Sequence, residues 1–174
     1  SASSIMAAQY WGKGDRRTVE RVLGVALRIA LMVSIPFALA AAICPAAIMR
    51  IFTDDMALIL EGEKYLRVVS ASYVLGAVSQ IYLSVMRSVE RVMTTAVIHC
   101  GAVLMNVVLN ACFIFGWGPF PELGIMGVAL ATSITRAVEV AVCIIDGTRC
   151  KIIRLKVKYL LARGGQLMRD FMRL

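Results

Sequence analysis

Charged residues are scarce in this chain. They make up 17% of its 174 residues, whereas a soluble domain carries about 25%. The hydrophobic share is high, at 60%, and the mean hydropathy is +0.79. This balance argues against a disordered chain, a nucleic-acid-binding domain and an ordinary soluble enzyme. It indicates a membrane protein.

The usual sequence signatures of catalysis and cofactor binding are also missing. There is no metal-ligand spacing, no CxxC pair, no phosphate-binding glycine loop, no nucleophile elbow and no pair of inward-facing carboxylates. The five cysteines are an odd number and lie mostly in or beside apolar runs, so we interpret them as small apolar residues. We therefore expect no enzyme, no catalytic residue, no bound metal and no cofactor.

Four long apolar runs dominate the chain, at residues 29–49, 68–86, 92–115 and 123–145. A helix needs roughly 20 predominantly apolar residues to cross a bilayer, so each run is long enough. Pro36 lies inside the first run and predicts a kink there. We interpret residues 1–11 as the last turns of a further helix. This interpretation predicts that the chain is a piece of a longer protein. The expected fold is an all-α membrane protein, an antiparallel transmembrane helix bundle.

The basic residues orient the predicted helices. The chain has 19 Lys and Arg against 11 Asp and Glu, and most of the basic residues fall on one side of the alternating spans. By the positive-inside rule that side is cytoplasmic, which places loops 12–28 and 87–91 and the basic tail 149–174 in the cytoplasm. We expect the positive charge to face the anionic leaflet of the cell membrane, not nucleic acid.

Polar side chains inside the apolar runs are candidates for function, because they are expensive to place in lipid. Asn106 and Asn110 lie one turn apart on one helix face, and Thr132 falls at a similar depth on the next, antiparallel helix. Their oxygens could converge on a cation or a polar substrate in a water-filled cavity. The alternative is that they join helices by hydrogen bonds.

A second polar group consists of His99, Arg136 and Glu139, which fall at similar depths. Arg136 and Glu139 are three residues apart, so the pair can neutralise itself. His99 could relay protons, since the pKa of a histidine is near neutral. The alternative for His99 is a hydrogen-bonded packing role.

Several segments together resemble the MATE (multidrug and toxic compound extrusion) transporter family. Residues 8–15 (AQYWGKGD) are similar to the cytoplasmic end of the family's second helix, and 65–67 (YLR) to the entry of its fourth. The strongest similarity lies in 106–116 (NVVLNACFIFG), 121–132 (PELGIMGVALAT) and Arg136, which resemble the fifth and sixth helices.

The resemblance implies a twelve-helix antiporter made of two six-helix bundles with alternating access. Residues 1–148 would form part of the amino-terminal lobe, from the end of helix two to helix six, and 149–174 a cytoplasmic linker. Members export organic cations or drugs in exchange for sodium or protons. The implied partners are the lipid bilayer, a small organic cation and the remaining helices of the transporter.

The resemblance also implies that Asn106, Asn110 and Thr132 help to bind the coupling ion. Asn110 stands where some members have an Asp, and an amide cannot exchange a proton near neutral pH. The coupling ion, sodium or proton, therefore stays open.

Two other functions remain open at this point. A flippase or exporter of lipid-linked glycans could use a related bundle. Such a protein would need a larger and more cationic cavity for its anionic lipid carrier, and in this chain only Arg136 and His99 could line one. The other hypothesis is a four-helix membrane scaffold that transports nothing.

Overall fold

The computed structural model describes residues 2–116 and 123–149. These residues form six helices: α1 (Ala2–Gly12), α2 (Arg16–Ile43), α3 (Pro45–Phe52), α4 (Met56–Ser88), α5 (Val92–Phe115) and α6 (Ile125–Arg149). Four of them, α2, α4, α5 and α6, are long and apolar enough to cross a membrane. The predicted all-α transmembrane bundle is confirmed.

The start of α2 corrects the predicted loop 12–28. The helix begins at Arg16, so only residues 13–15 form the turn after α1, and 16–28 are helical. Asp15 caps the helix, because its carboxylate accepts from the backbone N–H of Thr18 at 3.1 Å. Basic residues that hydropathy assigns to a loop are tolerated in a helix that extends beyond the apolar part of the span.

The Asp15 cap is sensitive to acid. Hydrogen bonds from the Thr18 hydroxyl, and then from the Thr18 backbone N–H, lower the pKa of Asp15 below its ordinary value. A carboxyl group with a lowered pKa stabilises the folded state above its unfolded pKa. This contribution is lost as the pH falls through the folded pKa.

The predicted span 29–49 is also wrong at its end. α2 continues through Pro36 and stops at Ile43, and Cys44 leaves the helical region with φ −122° and ψ 49°. Pro45 then begins the short helix α3. Proline is favourable in the first turn of a helix because its missing N–H has no acceptor there, whereas in the interior, as at Pro36 of α2, it removes one hydrogen bond of the ladder.

The other spans differ from prediction mainly in length. α4 has 33 residues, against the predicted run 68–86, so it is roughly 50 Å long and exceeds the roughly 30 Å hydrocarbon core. It ends at Ser88, which shortens the predicted loop 87–91 to residues 89–91. α5 matches its predicted run, and α6 extends to Arg149. The predicted tail 149–174 lies outside the described residues from 150 onward.

Helix α4 is the centre of the bundle, because it packs against all five other helices. A continuous apolar core joins it to α1, α2 and α6 near the turn from α4 to α5; it includes Val22, Leu23, Tyr82, Met86 and Cys143. α5 packs on α6 and α4, yet only Thr95 and Phe113 of its residues are buried. Most of α5 is therefore available to face lipid or further helices.

A three-residue cluster ties the helix ends together at the α4–α5 turn. Arg91 donates two hydrogen bonds to the Asp146 carboxylate, at 2.7 and 3.0 Å, and the Tyr82 hydroxyl donates to the same carboxylate at 2.7 Å. A bidentate guanidinium–carboxylate pair is geometrically specific. It fixes the start of α5 against the last turns of α6 and against α4.

At the other end, α5 and α6 approach closely at a glycine. A Cβ atom added to Gly127 would lie 2.6 Å from Cβ of Phe113 and 3.1 Å from its carbonyl oxygen. The Leu123 backbone N–H donates to that same carbonyl at 3.0 Å. Gly127 therefore sets the spacing of the two helices that carry the polar residues.

We predict that Gly127→Ala destabilises the protein by about 1–3 kcal/mol, because the added methyl group overpacks the α5–α6 contact. The measurement is the thermal unfolding midpoint in detergent. Gly12→Ala is the matched control, since a Cβ atom there has no neighbour within 4 Å. An unchanged midpoint for Gly127→Ala would show that the two helices are not held this closely.

Candidate functional site

The two asparagines of α5 form a hydrogen-bonded pair. Nδ2 of Asn110 donates to Oδ1 of Asn106 at 3.0 Å, as expected for amides one turn apart. Nδ2 of Asn106 in turn donates to the Thr135 hydroxyl on α6 at 3.4 Å. Oδ1 of Asn110 is buried and has no hydrogen-bond partner among the described residues. An acceptor of this kind is costly to bury unless something else satisfies it.

An open pocket of about 150 Å³ lies beside this pair, between α5 and α6. Its lining consists of His99, Ala102, Val103, Asn106, Thr132, Thr135 and Arg136. Asn106 and Thr132 thus face one cavity, whereas Asn110 is not part of its lining and is linked to it only through the hydrogen bond to Asn106. The role of the three residues as ligands stays a prediction.

Glu139 is the most buried polar side chain of the second group. Its side chain has no exposed surface, and its two oxygens have different partners. Oε2 accepts from Arg136 Nη1 at 2.6 Å and from the Ser79 hydroxyl at 3.1 Å. Oε1 lies 3.5 Å from Nδ1 of His99. The carboxylate therefore joins α4, α5 and α6 at one point.

The Arg136 side chain packs beside Gly76 of α4. A Cβ atom built on Gly76 would be 3.7 Å from Nε of Arg136, which is an ordinary van der Waals distance, so the two helices are close here without requiring glycine. The Arg136 side chain is 33% exposed, and that of His99 is 47% exposed. Both border the pocket, whereas Glu139 lies behind it. The predicted self-neutralising pair forms, and the structure adds His99 and Ser79 to it.

Sequence reasoning missed Thr135 and Ser79. Thr135 lies one turn beyond Thr132 on the same face of α6, so its position was readable from helical periodicity. Ser79 is 60 residues from its partner Glu139, and serine is common in membrane helices. No local signal distinguishes it from the other serines of α4.

Chemically, the site offers oxygen ligands and one neutralised charge pair. Amide and hydroxyl oxygens suit hard cations and the polar parts of organic molecules. The charges of Arg136 and Glu139 cancel, so the pocket has no net charge while His99 is neutral. Within residues 2–116 and 123–149, no group of three or more His, Cys, Asp or Glu side chains is arranged to hold a metal ion.

Comparison with known proteins identifies the family of the chain. The family model described as MatE matches residues 1–112, well over half of the sequence. The chain belongs to the MatE family. The matched region includes His99, Asn106 and Asn110, while Thr132, Arg136 and Glu139 lie beyond it. The MatE assignment agrees with the resemblance carried by residues 8–15 and 106–116.

A curated relative and several solved structures are similar to this MatE chain. The "Uncharacterized transporter YisQ" of Bacillus subtilis (strain 168) is 21% identical over 145 residues, which cover 83% of this chain and 32% of that protein. An outward-facing multidrug resistance MATE family transporter of the MOP superfamily has a TM-score of 0.85 at 16% identity. That alignment covers 99% of this chain and 38% of the solved one.

Two further structures show the same fold. An inward-facing multidrug resistance MATE family transporter has a TM-score of 0.84 at 16% identity, covering 99% of this chain and 38% of that one. A MOP superfamily transporter from Pyrococcus furiosus Vc1 (DSM3638), whose binding pocket is described as having reverse polarity, has a TM-score of 0.85 at 16% identity, covering 99% and 37%. The MatE chain spans about a third of the length of the relatives it matches.

We predict strong energetic coupling between Arg136 and Glu139. Arg136→Gln leaves a buried carboxylate without its cation and costs about 3 kcal/mol, and Glu139→Gln costs about 2 kcal/mol because Arg136 is partly exposed. The double variant is expected to cost at least about 1 kcal/mol less than the sum of the two. Unfolding in detergent, followed by circular dichroism, measures all three. Additive losses would show that the ion pair does not form.

Proposed function

We propose that the whole protein is a secondary active transporter that exports small organic cations in exchange for sodium or protons. This chain supplies part of its amino-terminal lobe. Membership of the MatE family supports transport, and the hydrogen-bonded pair Asn106–Asn110 beside an open pocket supports cation binding. That pair is the observation on which the proposal rests most heavily.

The lone acceptor of the pair is a candidate ligand for a cation, next to the pocket but outside its lining. Oδ1 of Asn110 is buried and unpartnered among the described residues, while Nδ2 of Asn110 is bonded to Asn106 and Nδ2 of Asn106 to Thr135. Binding a cation or its hydration water would satisfy this oxygen and remove the cost of burying it. Thr132 and Thr135 add hydroxyl oxygens at the pocket wall.

The amide at residue 110 constrains the coupling. Because an amide does not titrate near neutral pH, Asn110 can ligate an ion but cannot carry a proton. Proton coupling would need another group, whereas sodium coupling could use the amide and hydroxyl oxygens directly.

The outer surface of the chain supports a membrane-embedded lobe that meets further helices. Large apolar side chains of α5 are exposed along its length, including Met93, Val97, Leu104, Val107 and Phe115. An apolar stripe of this size in a membrane protein faces lipid or other apolar helices. We place the protein in the cell membrane as a multi-pass protein, with the α4–α5 turn cytoplasmic in accordance with its basic residues.

We predict that Asn106→Leu lowers efflux of a fluorescent organic cation from cells by about tenfold or more. The substitution removes both the oxygen that holds Asn110 and the donor to Thr135, so the amide pair is lost. Val107→Leu is the matched control, because Val107 does not line the pocket and is 59% exposed. Full efflux by Asn106→Leu at normal expression would contradict the proposal.

Transport assays in proteoliposomes distinguish the three functional hypotheses. Cation transport driven by a sodium or proton gradient supports the antiporter. Movement of a lipid-linked glycan without cation transport would favour the flippase, and no movement of either class would favour a scaffold.

A further inference from the structure

We propose that His99 is a protonation site whose charge controls cation binding in the pocket lined by Asn106 and Thr132. This inference rests on the proposed function, since it assumes that the pocket binds cations. It assigns the proton to a residue of this lobe: His99 takes up a proton as the cation leaves and releases it as the cation binds.

His99 lies between two cavities. On one side it borders the site pocket, together with Asn106 and Arg136. On the other it borders an open cavity of about 290 Å³ lined by Arg87, Val92, Thr95, Ala96 and Cys100, next to the α4–α5 turn. Its side chain is 47% exposed. The imidazole can therefore exchange protons with water near the turn and still affect the charge of the site pocket.

Glu139 is placed to hold the protonated form. Its Oε2 is occupied by Arg136 and Ser79, whereas Oε1 has only the His99 ring within hydrogen-bond distance among the contacts of the described residues. When protonated, Nδ1 of His99 carries a hydrogen and donates it to Oε1. The fully buried carboxylate stays in the same position in both states, because two other groups fix it.

Protonation changes the net charge beside the pocket. The charged groups that face His99 are Glu139 and Arg136 from α6 and Arg87 from α4, and Cys100 is its titratable neighbour on α5. Arg136 and Glu139 cancel, so the site pocket has no net charge while His99 is neutral. A protonated His99 adds one positive charge and repels a cation in the pocket. The expected weakening is on the order of tenfold for charges several ångströms apart.

The step is a simple proton exchange. A hydronium ion in the site pocket gives its proton to the imidazole as the cation leaves, and the imidazolium returns the proton to water in the cavity at the α4–α5 turn as the next cation binds; only the N–H bond of His99 forms and breaks. Binding of a proton to His99 and binding of a cation in the pocket are then mutually exclusive. Exchange of one for the other across the membrane requires this.

Binding of tetraphenylphosphonium to the purified whole protein tests the proposal. We expect the native affinity to fall about tenfold between about pH 8 and about pH 5.5. His99→Gln, which stays neutral, should bind tightly with less than about twofold change over this range. His99→Lys, which keeps a positive charge, should bind weakly throughout. If one variant fails to fold, the other still tests the sign of the effect.

The outcomes separate this inference from the proposed function. If the native protein and both variants bind the probe with the same pH dependence, His99 is not the proton site, while cation binding stands. If the native protein neither binds nor transports an organic cation at any pH, the proposed function fails and the inference fails with it.

Discussion

The lobe is organised around a carboxylate that cannot stay buried alone. Glu139 has no exposed surface, so its charge must be met within the bundle, and it is met from three helices: by Arg136 on α6, Ser79 on α4 and His99 on α5. These partners fix the rotation of α6 against its neighbours. The Asn106 amide, the Thr135 hydroxyl and the pocket between them take their positions from that rotation. A rotation of α6 about its axis would break the contacts of Glu139 with Ser79 and His99, whereas the Arg136–Glu139 pair lies within α6 and would rotate with it.

The two ends of the bundle differ in how tightly they are built. Near the α4–α5 turn, an apolar core and the bidentate pair of Arg91 and Asp146 hold α1, α2, α4, α5 and α6 together. Towards the other end, the later part of α2 and most of α5 expose large apolar side chains. The polar site lies between these regions, on the face where α5 is open. A rigid end beside an open, partly polar face suits a lobe that moves as a unit against further helices.

Much of the fold follows from hydropathy, but the site follows only in part. Four apolar runs predict four spans, but they do not show that the helix continues through Pro36 and ends before Pro45. Hydropathy does not reveal that α2 begins at Arg16, because a helix can continue beyond the apolar part of its span. Helical periodicity places Asn106 and Asn110 on one face and estimates the depth of Thr132. The depth estimate names Thr132, whereas the bonded partner of Asn106 is Thr135, one turn further along the same face of α6. Ser79 is 60 residues from Glu139 and has no local signal in the sequence.

The ionised state of Glu139 is the central claim, and difference infrared spectroscopy of the purified whole protein measures it most directly. Subtracting the spectrum of Glu139→Gln from that of the native protein removes the signals of every other carboxyl group. The account predicts the two stretching bands of an ionised carboxylate at neutral pH, because Arg136 Nη1 lies 2.6 Å from Oε2. The carbonyl stretch of a protonated acid would contradict it, since a neutral Glu139 forms no ion pair and could not hold the charge of His99.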